Sequence, residues 1–172
     1  MATRRPASAA WATARVSALT AEDFQTLIAT AKQLERHHIR EPTPAHELAL
    51  HRFTTALARD SYADGALDFT IALEALLLPY DENARRGDLG YRFRVHGAHY
   101  LSERADERPE TAKHLSRIYE MRGRLVHGAK YPDRVQIRAV HDLAYDFARR
   151  GLLRAVREDF PTGAMFNQMV LS

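Results

Sequence analysis

Arg122 and His127, with four residues between them, are the pair in this sequence best suited to chemistry. Arginine keeps its charge, and its planar fork matches phosphate or carboxylate oxygens. Histidine titrates near neutrality and can take or give a proton. Both sit in the stretch Leu115 to Gly128, LSRIYEMRGRLVHG. On a helical wheel Leu115, Ile118, Tyr119, Arg122, Leu125 and Val126 share one face. All but Arg122 are apolar, so the arginine takes a place that a core residue would normally fill. A buried guanidinium is costly unless it meets a carboxylate, a phosphate or a partner chain. His127 stands at the expected helix exit, before Gly128, which suits a left-handed C-terminal cap.

Other residues compete for roles beside this pair. Leu67, Ile71, Glu74 and Leu78 share a face of an apolar helix, which makes Glu74 a buried carboxylate and an intramolecular partner for Arg122. That ion pair is an alternative to catalysis but is compatible with it, because it would orient the guanidinium. Asp68 falls nearer the other edge of the same helix. For His127 the alternative is a C-terminal histidine favoured by the helix dipole. Arg124 lies three residues before His127, on the same side of the helix, and is a second candidate for a phosphate contact. Tyr119 is read as core or interface. His96 with His99, and His37 with His38, have spacings a metal uses, but no third ligand is evident and no metal site is assigned. Arg92 and Arg94, with Arg85 and Arg86 before them, form a candidate basic rim for RNA, supplying sequence-independent, salt-dependent affinity; the alternative is a solvated face.

The elements that must hold these residues read as helices throughout. The chain has 172 residues, enough for one domain with a real core. Hydrophobic residues make up 45% and charged residues 27%, as in ordinary globular proteins. Ala, Arg and Leu dominate, while 8 glycines and 7 prolines offer few turns. No cysteine is present, which excludes disulfides, thiolate zinc sites and cysteine nucleophiles. No apolar run approaches the roughly 20 residues that span a bilayer. Net charge is +3 and the pI about 9.4, which permits nucleic-acid binding without demanding it.

Residues 1–18 are Arg-, Ala- and Ser-rich and read as a flexible N-terminal arm; a transit peptide shares that composition, whereas Arg15 breaks the apolar run of a secretory signal. Thr20 to His38 is an expected helix, followed by a stop at Glu41 to Pro44. Further helices are expected at Ala45 to Arg59, Ala63 to Leu78, Leu89 to Arg104, through the stretch that ends at His127, and at Arg134 to Glu158. Ala63 to Leu78 is apolar nearly all round and belongs at the centre. Asp60-Ser61 marks its start, Pro109 suits a first turn, Asp133 caps the last long helix, and Gly151 is a candidate kink. Tyr91, Val95, Ala98 and Leu101 or Ser102 are expected to face inward, as are Val135, Ala139 and Phe147. The helical domain covers 19–160, and 161–172 is an apolar tail that packs on the bundle or on a partner.

Three segments together resemble the HEPN superfamily, and most of all its Apea-like branch. They are IALEALLL (Ile71 to Leu78), YRFRVHGAHYL (Tyr91 to Leu101) and YEMRGRLVHG (Tyr119 to Gly128). The resemblance covers about Leu48 to Glu158. It implies an all-α HEPN-like bundle, here with an additional N-terminal helix, that dimerises through the helix bearing the arginine and histidine. Many members are metal-independent ribonucleases with an arginine, four to six residues, then a histidine; Arg122 and His127 match that pattern. A polar residue commonly follows the family arginine, and Gly123 stands there instead. Other members are non-catalytic binding or dimerisation modules.

Metal-free RNA cleavage needs a base for the 2′-hydroxyl, an acid for the leaving oxygen and a fixed cation for the phosphorane. On one ideal helix Arg122 and His127 point about 140° apart. A two-fold dimer could bring both copies to one groove. The expectation is therefore a homodimeric endoribonuclease or RNA-binding domain of defence or stress type. It needs no cofactor and no membrane, is cytoplasmic, and either stands alone or belongs to a larger polypeptide or partner complex. The alternative is a non-catalytic interaction module.

Overall fold

A computed structural model describes residues 43–79, 89–128 and 131–171, together with Gln25, Ala29 and Lys32, which are helical. The N-terminal arm, most of the expected first helix, and residues 80–88 lie outside the described residues. The remainder is an all-α bundle of α1 (Pro44–Leu57), α2 (Tyr62–Leu77), α3 (Leu89–Leu101), α4 (Arg108–His127), α5 (Arg134–Glu158) and α6 (Gly163–Leu171). A 3₁₀ turn, Ala105–Glu107, leads into α4, and no strand occurs among the described residues.

Local sequence explains most boundaries. Pro44 starts α1 instead of ending a linker, since its fixed φ suits the first helical turn. Ser61 caps α2 by accepting a hydrogen bond from the Asp64 N–H at 3.3 Å, and Asp133 caps α5 by accepting one from the Gln136 N–H at 2.8 Å. Gly128 adopts φ 68°, the left-handed geometry that closes α4.

α2 is the hub. It packs against α1, α3, α4 and α5, and buries Ala66, Phe69, Leu73, Leu76 and Leu77. α3 lies along α4, and α6 covers α3. Two glycines set these distances. A Cβ on Gly97 would overlap Leu115 Cδ1, and one on Gly151 would sit 2.8 Å from Leu76 Cδ2. Gly151 is a close-approach residue within the continuous helix α5.

Several inward assignments need correction. α3 buries Phe93, His96, Gly97, Ala98, Tyr100 and Leu101, while Tyr91 is exposed. Val135 is 80% exposed and Ala139 is exposed, so α5 joins the core only from Ile137 onward. Asp68, on the side of α2 away from Glu74, is almost fully buried, bound by Arg52 Nη1 at 2.9 Å and Arg59 Nε at 2.7 Å, and ties α1 to α2. The tail is the helix α6, whose fully buried Phe166 lies 4.3 Å from the His96 ring, nearly parallel to it.

Candidate functional site

Arg122 projects from α4 toward α2 and meets Glu74, with its Nε 3.4 Å from Oε1. The arginine side chain is 36% exposed and the glutamate 21%, so the pair sits at the rim of the bundle. The expected position of Arg122 within the core is thus corrected: its long side chain runs along the apolar stripe and keeps the charged head near water. Burial pushes the Glu74 carboxyl above its usual range, and the attraction of Arg122 pulls it back by less. Desolvation outweighs the ion pair, as expected for a contact this long. Among the described residues the terminal amino groups of Arg122 make no hydrogen bond, so an edge of the guanidinium remains for an anion.

His127 is exposed in the last turn of α4. Arg124, one turn earlier, is half-buried and reaches α5 through a 3.4 Å contact from Nη2 to Gln136 Oε1. This contact places the end of α4 beside the start of α5. Sequence reasoning does not foresee the surface that results. Val126 (53% exposed), Tyr131 (62%) and Val135 (80%) are exposed on the end of α4, the segment after it and the start of α5. The signal is the excess of apolar residues where α4, its exit turn and α5 meet; periodicity alone assigns Val126 and Val135 to the core.

The remaining candidates divide clearly. Tyr119 is half-buried and stacks obliquely on Phe93 at 5.4 Å, a packing role. Arg92 and Arg94 are half-buried on α3. His96 is structural: its Nδ1–H donates to the Leu77 carbonyl at 2.8 Å and Phe166 covers its ring. Burial lowers its pKa below the ordinary value of 6.5. No group of three His, Asp or Glu that could hold a metal occurs among the described residues. His37, His38, Arg85 and Arg86 lie outside those residues.

Chemically, the end of α4 offers a rim guanidinium paired with a carboxylate, an exposed imidazole and exposed apolar side chains nearby in the chain. No helix among the described residues is long and apolar enough to cross a membrane. No family model, curated protein or solved structure matches the chain.

Proposed function

We propose that this protein is a metal-independent endoribonuclease of HEPN type, acting as a homodimer whose two-fold axis passes near the end of α4. The carrying observation is the union, on one end of the bundle, of Arg122, His127 and the exposed Val126, Tyr131 and Val135. In this reading the apolar side chains meet their copies across the axis. Each groove then receives arginine from one protomer and histidine from the other. Arg122 stabilises the charge on the phosphorane, and Glu74 steadies it from behind. His127 transfers the proton, a role worth roughly 10²–10⁴ in rate. Arg124, on the side of α4 that carries His127, is a further candidate phosphate contact, and Arg92 and Arg94 on α3 are candidates for a basic rim. The setting in defence or stress, and in the cytoplasm, rests on the family resemblance alone.

A specific observation favours a second reading, a non-catalytic dimerisation module. Gly123 follows Arg122 with nothing within 4 Å of where its Cβ would lie, so the polar group usual at that place is missing.

The test is incubation of the purified chain with single-stranded RNA in EDTA. Cleavage that disappears in His127→Ala and in Arg122→Ala supports the enzyme. A stable dimer without cleavage supports the module, and a monomer without cleavage overturns both. Mixing the two variants probes the shared groove: activity unlike either parent supports it, and activity equal to the parents' counts against it.

A further inference from the structure

The opposite end of α4 holds a second set of cations that takes no part in the site above. The C-terminal turn of α3, the 3₁₀ turn, Arg108 at the start of α4, the last turns of α5 and Met169 of α6 enclose a cleft of about 980 Å³. At 1.5 Å per residue, it lies about 28 Å along α4 from His127. Five arginines line it, namely 108, 149, 150, 154 and 157, against three glutamates, 103, 107 and 158.

These arginines are not equivalent. Arg154 is already engaged: its Nε donates to Glu158 at 2.7 Å and its Nη1 to the Tyr100 carbonyl at 2.6 Å, which makes it a wall. Arg149 and Arg150 share the single carboxylate of Asp146, at 3.7 and 3.2 Å. The side chains of Arg108 and Arg157 have neither an ion pair nor a hydrogen bond among the described residues. Arg108 is half-buried, and its Nε is shut off from solvent with no partner. A buried N–H left unmatched is costly, and an anion at the mouth of the cleft would satisfy it. Guanidinium forks match phosphate oxygens in pairs. The volume lies at the upper end of the range for small-molecule sites. An extended polyphosphate chain suits the cleft poorly, because the three glutamates in its lining would repel successive phosphates.

We infer that this cleft is a binding site for a small phosphorylated molecule, whose phosphoryl group is held by Arg108 and Arg157 at the junction of α3, α4 and α5. The shared chemistry is a phosphoryl dianion, either free or esterified. The size of the cleft favours the esterified form, because a free phosphate would fill little of it and leave the apolar Leu153 and Met169 uncovered.

Calorimetric titration of the full chain with inorganic phosphate, pyrophosphate and ribose 5-phosphate tests this. The expected result is saturable binding, tightest for the ester, that weakens at least tenfold in Arg108→Gln and in Arg157→Gln. Arg157 is exposed, so its variant keeps the native melting temperature and guards against misreading an unfolded Arg108 variant. Arg117→Gln, an exposed arginine outside the cleft, serves as the control and binds as the parent does. RNA cleavage by Arg157→Gln should equal the parent's, which separates this proposal from the fate of the Arg122–His127 site. Binding confined to the inorganic ions overturns the esterified ligand. No binding at millimolar concentration, binding indifferent to both substitutions, or a single-stranded oligonucleotide that binds here in place of the small molecules overturns the site.

Discussion

Glu74 and Asp68 are both carboxylates on α2, yet their surroundings give them opposite characters. Asp68 receives two short bonds from arginines, whereas Glu74 faces a single guanidinium at 3.4 Å across a partly dry gap. Burial raises the Glu74 pKa in the folded state, so the folded protein holds that proton more tightly than the unfolded chain does. The stability this contributes is complete below the ordinary carboxyl value of 4.5 and disappears as pH rises through the folded value. Glutamine imitates the protonated form at every pH. Glu74→Gln should therefore gain stability relative to the parent between pH 4 and pH 7, as read from urea midpoints at the two values. A relative loss at neutral pH would show that the bond to Arg122 dominates instead. If Glu74 also steadies Arg122 for phosphate, the same variant should cleave RNA more slowly while remaining folded.

At the scale of helices, close approach is set by what glycine omits. Gly97 lets α3 settle against Leu115 and Leu77, where a methyl group would overlap a buried leucine. Overpacking of this kind costs about 1–3 kcal/mol, and the helical preference of alanine returns only about 1 kcal/mol. Gly97→Ala should lower the melting temperature. Gly123 lies within α4 with open space where a Cβ would project, so Gly123→Ala should raise stability by about 0.5–1 kcal/mol. Thermal melts of the two variants side by side check the contrast. A stabilising Gly97→Ala would mean that Leu115 has room to repack.

The whole molecule is closed by α6, and its closure depends on a neutral histidine. His96 joins three elements: it belongs to α3, donates to the α2 carbonyl of Leu77, and stacks on Phe166 of α6. Its folded pKa is lowered, mainly by burial, with Arg92 and His99 adding to the effect. The sign of the resulting linkage is opposite to that of Glu74. The stability is complete above the ordinary value of 6.5 and is lost as pH falls through the folded value. His96→Asn keeps a donor for Leu77 without the titration, so its stability should fall less than the parent's between pH 7 and pH 5. An unchanged slope by chemical denaturation would remove His96 from the acid response. Assembly belongs to the same scale. Val135 is 80% exposed, so Val135→Asp should alter the monomer's stability by no more than about 0.5 kcal/mol. It should nonetheless convert the proposed dimer to monomer in sedimentation velocity. A dimer that survives the substitution moves the interface away from the end of α4.

What the amino-acid order determined by itself was local. The boundaries of α2, α4 and α5 follow from Ser61, Gly128 and Asp133, because a cap is satisfied by neighbours within three or four residues. The central place of α2 follows from its apolar circumference. The partnership of Arg122 with Glu74 was readable as a charge match between two apolar stripes. The tertiary structure decided how each helix is rotated and how deep each charge lies. Periodicity defines a stripe but not its partner, so it assigns Tyr91 and Val135 to the core although α3 turns its Gly97 side inward and α5 begins beyond the bundle edge. It places Arg122 in the interior for the same reason: a wheel records direction, whereas burial depends on how far a neighbouring helix extends. The arginine cleft had no signature along the chain, because its residues are drawn from separate helices and become neighbours only when α3, α4, α5 and α6 meet.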